Sequence, residues 1–173
     1  MNIGVFCSQY DVEEKYKMAT QELGELIAKG GHTLVWGGAA EGLMELLPLV
    51  VQSGGSRVVG VVRDAIADKA FKSADEMHVV ATAYEMNIGI INRSDVVMVL
   101  VGGIGTLNEV TEIIRMNKNG QHAKKVIFIN TDGFYDGFKA QMERMAREGF
   151  IREDVAISVY FADNPAAATQ YLA

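Results

Sequence analysis

The 173-residue sequence has few of the residues on which several common kinds of site depend. It contains one cysteine, Cys7, so an internal disulfide cannot form and nothing links the chain to an oxidising compartment. Its three histidines, His32, His78 and His122, are scattered over separate segments. This scatter argues against a zinc site or a serine triad, and no metal is expected.

Positive charge is also scarce in the sequence. It has 16 Lys and Arg against 22 Asp and Glu, which gives a formal net charge of −6 and a pI near 5.1. A protein that holds DNA or RNA needs a basic stripe to neutralise the phosphates, so nucleic acid is not expected as a partner. A small mononucleotide is different, because backbone amides with one or two cations suffice to bind it.

Long apolar runs are missing as well. None reaches the roughly 20 residues that a membrane-spanning helix needs, so no membrane partner is expected. The short apolar run over residues 1–6 is expected to be a first strand rather than a signal peptide, and the expected location is cytoplasmic. The length suits one sizeable core, so we expect residues 1–173 to form a single domain.

Short β-branched segments alternate with segments of helical periodicity along the chain. Strands are predicted over residues 2–6, 33–36, 57–62, 76–80, 96–100, 125–129 and 155–160, and helices over 11–29, 43–52, 83–93, 106–119, 134–148 and 166–172. Asp11 and Glu14 stand at capping-box spacing at the start of the first helix. The alternation predicts an α/β fold with a doubly wound parallel sheet and helices on both faces.

A glycine-rich loop follows the predicted strand 96–100. It reads Gly102-Gly103-Ile104-Gly105-Thr106. Glycine lets the backbone approach a ligand closely, and the helix expected to begin at Thr106 offers unpaired amides and a positive dipole end. Ligands of such sheets bind outside the carboxyl ends of the strands. The loop therefore predicts a phosphate site of a nucleotide-binding domain, although it is neither a Walker loop nor a dinucleotide fingerprint.

Glu109 stands three residues after Thr106, and this spacing has two interpretations. In the first, the two residues form a capping box, and the carboxylate only satisfies the start of the helix. In the second, the carboxylate faces the ligand and takes part in chemistry. Spacing alone leaves both open.

Two further loops are expected at the same edge of the sheet. Gly37 and Gly38 follow the second strand and can present amides to a ligand. Ser8 follows the first strand and offers a hydroxyl group, so these three residues are included in the predicted site. Cys7, beside Ser8, is interpreted as a small buried hydrophobe rather than a reactive thiol.

Together these loops resemble the LONELY GUY (LOG) family, whose members were long labelled possible lysine decarboxylases. The resemblance is carried by Val5-Phe6-Cys7, by Gly37-Gly38 with Gly42-Leu43-Met44, by Gly102-Gly103-Ile104-Gly105-Thr106 with Glu109, and by Asp132-Gly133-Phe134-Tyr135-Asp136. It implies a Rossmann-like fold, a homodimer, no cofactor and an AMP-like ligand. It also implies hydrolysis of the N-glycosidic bond of nucleoside 5′-monophosphates, including cytokinin ribotides, with Glu109 as the catalytic residue.

The helix before the glycine loop departs from the family pattern. The family carries Arg-Lys after a glutamate, whereas this chain reads Glu85-Met86-Asn87. An ungapped count places Met86 at the position of the catalytic arginine, so Met86 is included in the nucleotide site. A thioether cannot make charge-assisted contacts with phosphate or sugar oxygens. Arg93 lies about 10 Å further along the helix axis and is the alternative cation.

Two functions stay open on the sequence. One is a phosphoribohydrolase that uses Glu109, and near-complete retention of the motifs favours it. The other is a catalytically weak or inactive nucleotide-binding or carrier protein of the same fold, which Met86 favours. A lysine decarboxylase is disfavoured, because no lysine lies in a recognisable pyridoxal-phosphate setting.

Overall fold

The computed structural model describes residues 1–152, 155 and 158–172. Its centre is a parallel sheet with the strand order β4-β3-β2-β1-β5-β6-β7. The strands are β1 (Asn2–Phe6), β2 (Thr33–Trp36), β3 (Val58–Arg63), β4 (Glu76–Val80), β5 (Val96–Val99), β6 (Val126–Ile129) and β7 (Val159–Ala162). Near-continuous apolar runs such as that of β5 suit strands that are covered on both faces.

Helices follow the strands and cover the sheet. They are α1 (Glu14–Lys29), α2 (Leu43–Ser53), α3 (Ala83–Arg93), α4 (Ile104–Lys118), α5 (Asp136–Arg147) and α6 (Pro165–Ala168), with short 3₁₀ segments at Asp64–Lys69, Thr131–Gly133 and Thr169–Tyr171. Within the described ranges, no helix combines the length and the apolar composition that crossing a membrane requires.

Alternate residues of β1 separate the core into two layers. Ile3 and Val5 belong to a cluster that includes Leu23 of α1 and Leu47 of α2. Phe6 belongs to the opposite cluster, with buried residues of α3, α4 and α5. Because successive side chains of a strand point to opposite faces, one strand contributes to both layers. The predicted α/β fold, a Rossmann-like doubly wound parallel sheet with helices on both faces, is confirmed.

The last predicted strand is misplaced. The sequence predicted it over residues 155–160, but β7 runs over Val159–Ala162 and pairs with β6. Residues 156 and 157 lie outside the described residues. Val155 is helical and buried in the core, and its N–H donates to the carbonyl of Arg152, which is not strand pairing. The apolar character of Val155 therefore reflects burial from a helical residue.

Two helices begin later than predicted. The predicted capping box of Asp11 and Glu14 is wrong, because α1 begins at Glu14 and no side chain caps it. Asp11 instead forms an ion pair with Lys17, 2.6 Å away. The helix predicted from residue 134 begins at Asp136 with Tyr135 as its N-cap residue, and the N–H of Tyr135 donates to the side chain of Asn130.

The strand order reverses at β1, which has β2 on one side and β5 on the other. The chain leaves β1 toward the face covered by α1 and leaves β5 toward the face covered by α4. The loops after these two strands therefore diverge and leave a crevice at the carboxyl edge of the sheet. This is the place where sheets of this type bind their ligands.

Candidate functional site

A cleft of about 440 Å³ opens at this crevice. Residues 5–10 after and within β1 form its floor, and residues 103–106 with Glu109 form one wall. Gly37 contributes from the second loop, and Met44 contributes from the first turn of α2. The three loops that the sequence singled out thus meet in one cavity, and Glu109 is the charged side chain of its lining.

Backbone hydrogen bonds hold the loops after β1 and β5 together. The N–H of Leu100 donates to the carbonyl of Phe6, and the N–H of Ser8 donates to the carbonyl of Val101, both at 3.0 Å. The buried hydroxyl oxygen of Ser8 accepts a hydrogen bond from the N–H of Tyr10, also at 3.0 Å. Ser8 therefore fixes the turn that lines the cleft, in addition to facing it.

The glycine loop is tightly folded at its start and open at its tip. A Cβ at Gly102 would lie 2.1 Å from Oγ1 of Thr106, so the first turn of α4 can pack there only against glycine. The Thr106 hydroxyl donates to the carbonyl of Cys7 at 3.5 Å. At Gly103 and Gly105 a Cβ would meet no atom within 4 Å, so the tip borders open space.

The helix after this loop begins two residues earlier than predicted. It starts at Ile104 with Gly103 as the N-cap residue, and no side chain caps it. Thr106 lies inside the first turn, bonded toward β1, so the predicted capping box of Thr106 and Glu109 is wrong. The N–H of Leu107 donates to Gly103, while the N–H groups of residues 103–106 have no acceptor among the described residues. Such a helix start is suited to an anion.

Glu109 faces the cleft from the second turn of α4. It forms no hydrogen bond or ion pair with the residues that the structure describes. Burial raises the pKa of its carboxyl group to about 7, and the positive charge of Arg63 acts in the opposite direction. Both protonation states are therefore populated near neutral pH, as proton transfer in catalysis requires.

Two buried groups behind the cleft have structural roles. Burial raises the pKa of the Cys7 thiol, and the charge of Glu109 raises it further, so the thiol stays protonated. The hydroxyl of Tyr135 donates to the carbonyl of Leu100 at 2.8 Å and supports the strand that leads into the glycine loop. Tyr135 belongs to a segment that carries the family resemblance, but the sequence did not predict its hydrogen bond to Leu100. The only indication in the sequence was the presence of a tyrosine.

The structure places the predicted site residues in three positions. The predicted site residues that line the cleft are Ser8, Gly37, Gly103, Ile104, Gly105, Thr106 and Glu109. Gly38 and Gly102 lie beside it in the same loops, and Gly38 has a positive φ of 72° that suits glycine. Met86 is buried in the core at the start of α3 and is not part of the lining.

The positions of two arginines relative to the cleft were not predicted from the sequence. Arg93 donates to the carbonyl of Gly89, and its own carbonyl accepts from the side chain of Asn2 at the beginning of β1. It therefore lies at the opposite edge of the sheet and cannot serve as the alternative cation. Arg63, which was not predicted as a site residue, ends β3 at the carboxyl edge of the sheet. Its one sequence signal is a basic residue directly after an apolar strand.

The described residues offer amide groups, and not a metal-binding cluster, to a ligand. No group of three or more His, Cys, Asp or Glu side chains in the described ranges is arranged to hold a metal ion.

The fold and the crevice place the protein in the class of Rossmann-like α/β proteins. The chain belongs to the family described as "Possible lysine decarboxylase", whose model matches residues 44–172.

Relatives of the chain include plant proteins. The chain is 35% identical over 155 residues to "Cytokinin riboside 5′-monophosphate phosphoribohydrolase LOG" of Oryza sativa subsp. japonica, covering 88% of this chain and 64% of the rice protein. It is 30% identical to the phosphoribohydrolase LOG2 of Arabidopsis thaliana, covering 98% of this chain and 81% of the relative. The chain thus spans less than two thirds of the rice protein's length.

A solved structure shares the fold. The molybdenum cofactor carrier protein MCP from Chlamydomonas reinhardtii superposes with a TM-score of 0.76 at 21% identity, covering 99% of this chain and 94% of the other. At this level of identity the likeness concerns the fold alone.

The raised pKa of Glu109 predicts a pH-dependent effect on stability. The ordinary pKa of 4.5 applies in the unfolded chain, so the folded protein binds more protons between about pH 4.5 and 7 and loses stability as pH rises through that window. Glu109→Gln removes this loss. We expect the variant to be more stable than the wild type at pH 8 by on the order of 2 kcal/mol, and equal to it near pH 4, in urea denaturation.

Glu112→Gln is the matched control on the same helix. Its carboxylate pairs with Arg115 at 2.6 Å, and the hydrogen bond with Arg115 lowers its pKa, so its replacement should slightly destabilise the protein at pH 8. A Glu109→Gln variant that is no more stable at pH 8 than at pH 4, relative to wild type, would contradict the desolvation of Glu109.

Proposed function

We propose that the protein is a LOG-like nucleoside 5′-monophosphate phosphoribohydrolase, acting on AMP or cytokinin ribotides. One observation carries the proposal: a desolvated, unpaired carboxyl group at Glu109 shares a cleft with the free amides that begin α4. The names of the plant relatives support the substrate class. The reaction would release the free base and ribose 5-phosphate and needs no cofactor.

The start of α4 would hold the 5′-phosphate. The N–H groups of residues 103–106 point out of the helix end, and the open space at Gly103 and Gly105 admits a bulky anion close to the backbone. The helix dipole adds about half a positive charge at this end. Because no lysine or arginine is part of the cleft lining, the backbone would supply most of the attraction.

Glu109 would act at the sugar. Cleavage of the bond between C1′ and the base nitrogen leaves positive charge on the ribose in an oxocarbenium-like transition state. The carboxylate can stabilise that charge and take a proton from the water that attacks C1′. The base leaves with the bonding electrons and acquires a proton. With the phosphate fixed at the helix end, positioning would supply much of the rate.

The second candidate is a nucleotide-binding or carrier protein without efficient catalysis. The burial of Met86 in the core favours it, because the position that carries an arginine in the resembled family presents no charge to the cleft. A protein titled a molybdenum cofactor carrier also uses this fold. Under this proposal, the amides of α4 would hold a phosphorylated ligand, and Glu109 would do no chemistry.

Release of free base distinguishes the two candidates. We expect the wild-type protein to convert AMP or isopentenyladenosine monophosphate to free base, and Glu109→Gln to lower kcat by at least about 100-fold, as for loss of a general acid or base. The products are separated and quantified by liquid chromatography.

Ligand affinity provides the control for this assay. Glu109→Gln should still bind the nucleotide, since the phosphate contacts lie on the backbone. Tight binding by the wild type with no base released across a panel of monophosphates would reject the hydrolase and leave the binding protein.

A carboxylate at the tip of the glycine loop should weaken phosphate binding. Gly105 has a φ that other residues adopt and open space around its Cβ position, so Gly105→Asp should fold normally. Its negative charge should raise the Kd for AMP by about tenfold or more through repulsion of the phosphate. Isothermal titration calorimetry of AMP and of adenosine measures the effect.

Gly105→Ala is the matched control, because it adds a Cβ without charge. Its AMP affinity should stay close to that of the wild type, and adenosine binding should be the same in all three proteins. Equal AMP affinities for Gly105→Asp and Gly105→Ala would exclude the start of α4 as the phosphate site.

We also propose that the protein is a homodimer, as the family resemblance implies. Large apolar side chains are exposed near the cleft: Ile104 is 83% exposed at the start of α4, and Tyr84 is 58% exposed at the start of α3. Burial of such residues in a subunit interface is favourable. Light scattering at micromolar concentration should give twice the mass of the 18.8 kDa chain, and a monomeric mass would contradict the proposal.

A further inference from the structure

Arg63 is the last residue of β3, at the same edge of the sheet as the cleft. Val59 and Val61 belong to the core cluster shared with α3 and α4, and strand alternation places Arg63 on that same face. Helix α3 lies close over the strand, since a Cβ at Gly89 would lie 2.9 Å from Cγ1 of Val61. Arg63 is one strand repeat nearer the carboxyl edge and therefore lies near the start of α3, on the face that carries Glu109.

The guanidinium of Arg63 has no partner in the part of the chain that the structure describes. Other cations of this half of the sheet are paired: Lys69 with Glu41 at 2.8 Å, and Arg57 with Glu76 at 2.7 Å. Arg63 is only partly exposed, yet it makes neither a hydrogen bond nor an ion pair with the described residues. A partly desolvated guanidinium is poorly satisfied alone and is available to a nearby anion.

Two titratable or charged groups are electrostatically coupled to Glu109. Cys7, at the end of β1, has a thiol that stays neutral because burial raises its pKa. Arg63 approaches from the end of β3, and its positive charge lowers the pKa of Glu109 against the larger effect of burial. Arg63 is therefore the group in the described residues whose charge favours the ionised form of Glu109.

We propose that Arg63 is a positioning residue of the cleft, whose guanidinium attracts the carboxylate of Glu109 and keeps it ionised and aimed at the substrate. The inference rests on the proposed function, in which Glu109 is the reacting carboxylate. Arg63 acts on Glu109 through its charge, without an ion pair between the two side chains, and supplies the positive charge that Met86 cannot.

Titration of Glu109 in the ligand-free protein tests the proposal without relying on activity. The side-chain carboxyl carbon of Glu109 is followed by ¹³C NMR from pH 4 to 9 and assigned by its loss in Glu109→Gln. Arg63→Met removes the charge and keeps most of the apolar stem. We expect the midpoint of Glu109 to rise by about half a pH unit or more in Arg63→Met, as loss of a nearby charge predicts.

Two variants serve as controls. Arg63→Lys keeps the positive charge and should leave the midpoint close to that of the wild type. Arg93→Met removes an arginine at the opposite edge of the sheet and should not move it. Circular dichroism verifies that all variants are folded. An unchanged midpoint in Arg63→Met, or an equal shift in Arg93→Met, overturns the proposal.

The pH profile of base release separates this inference from the proposed function. In an active wild type, the limb of the kcat profile that reports Glu109 should move upward in Arg63→Met by the same amount as the NMR midpoint, and Arg63→Lys should restore it. A shifted midpoint in a protein that releases no base supports the coupling and rejects the hydrolase. An active enzyme whose profile is unchanged in Arg63→Met overturns the role of Arg63.

Discussion

Between β1 and β5 the chain leaves the sheet toward opposite faces, and the cleft depends on this divergence. Helix α1 covers one face and α4 the other, so neither covers the gap between the two strand ends. The backbone bonds from Leu100 to Phe6 and from Ser8 to Val101 continue past the strands and fix the floor of the gap. The free amides of α4 then necessarily face the same space as the loop after β1. The geometry of the site is thus a consequence of topology.

Within that space, the sequence maintains one carboxyl group at a cost in stability. Glu112 lies three residues further along α4 and is held by two hydrogen bonds to Arg115. Glu109 has no such partner among the residues that the structure describes and is largely desolvated, so its ionised form is destabilised. A glutamine would fit the same position without this cost. A desolvated carboxyl group with no partner among the described residues, beside a helix end with free amides, is more readily explained by function than by folding.

The sequence predicted the first six strands of the described sheet and the three loops well, because both follow from local patterns. Apolar runs define strands wherever both faces are covered, and glycine marks the turns that follow. The role of Glu109 was not decided by spacing, since Thr106 and Glu109 are three residues apart whether α4 begins at residue 104 or 106. The extended backbone of Gly103 settles the helix start, and only the fold reveals it.

The position of Arg63 and the burial of Met86 could not be predicted from the sequence, for a related reason. The position of Arg63 beside the cleft depends on the order of strands in the sheet and on α3 lying over β3. Neither is visible in a single sequence. A count along the chain placed Met86 in the site, but its burial depends on how α3 packs against β3 and α4.

In the proposed reaction, the binding of the phosphate and the chemistry at the sugar depend on different groups of the cleft. Backbone amides can hold the phosphate without any side-chain charge, so the loss of an arginine from α3 need not abolish binding. A bound phosphate would bring negative charge close to Glu109 and raise the pKa of its carboxyl group further. Without a compensating cation, binding would therefore protonate the group that must stabilise a positive sugar. A guanidinium at the end of β3 opposes that shift from a rigid part of the fold. On this argument, a strand end provides the charge that the resembled family takes from a helix.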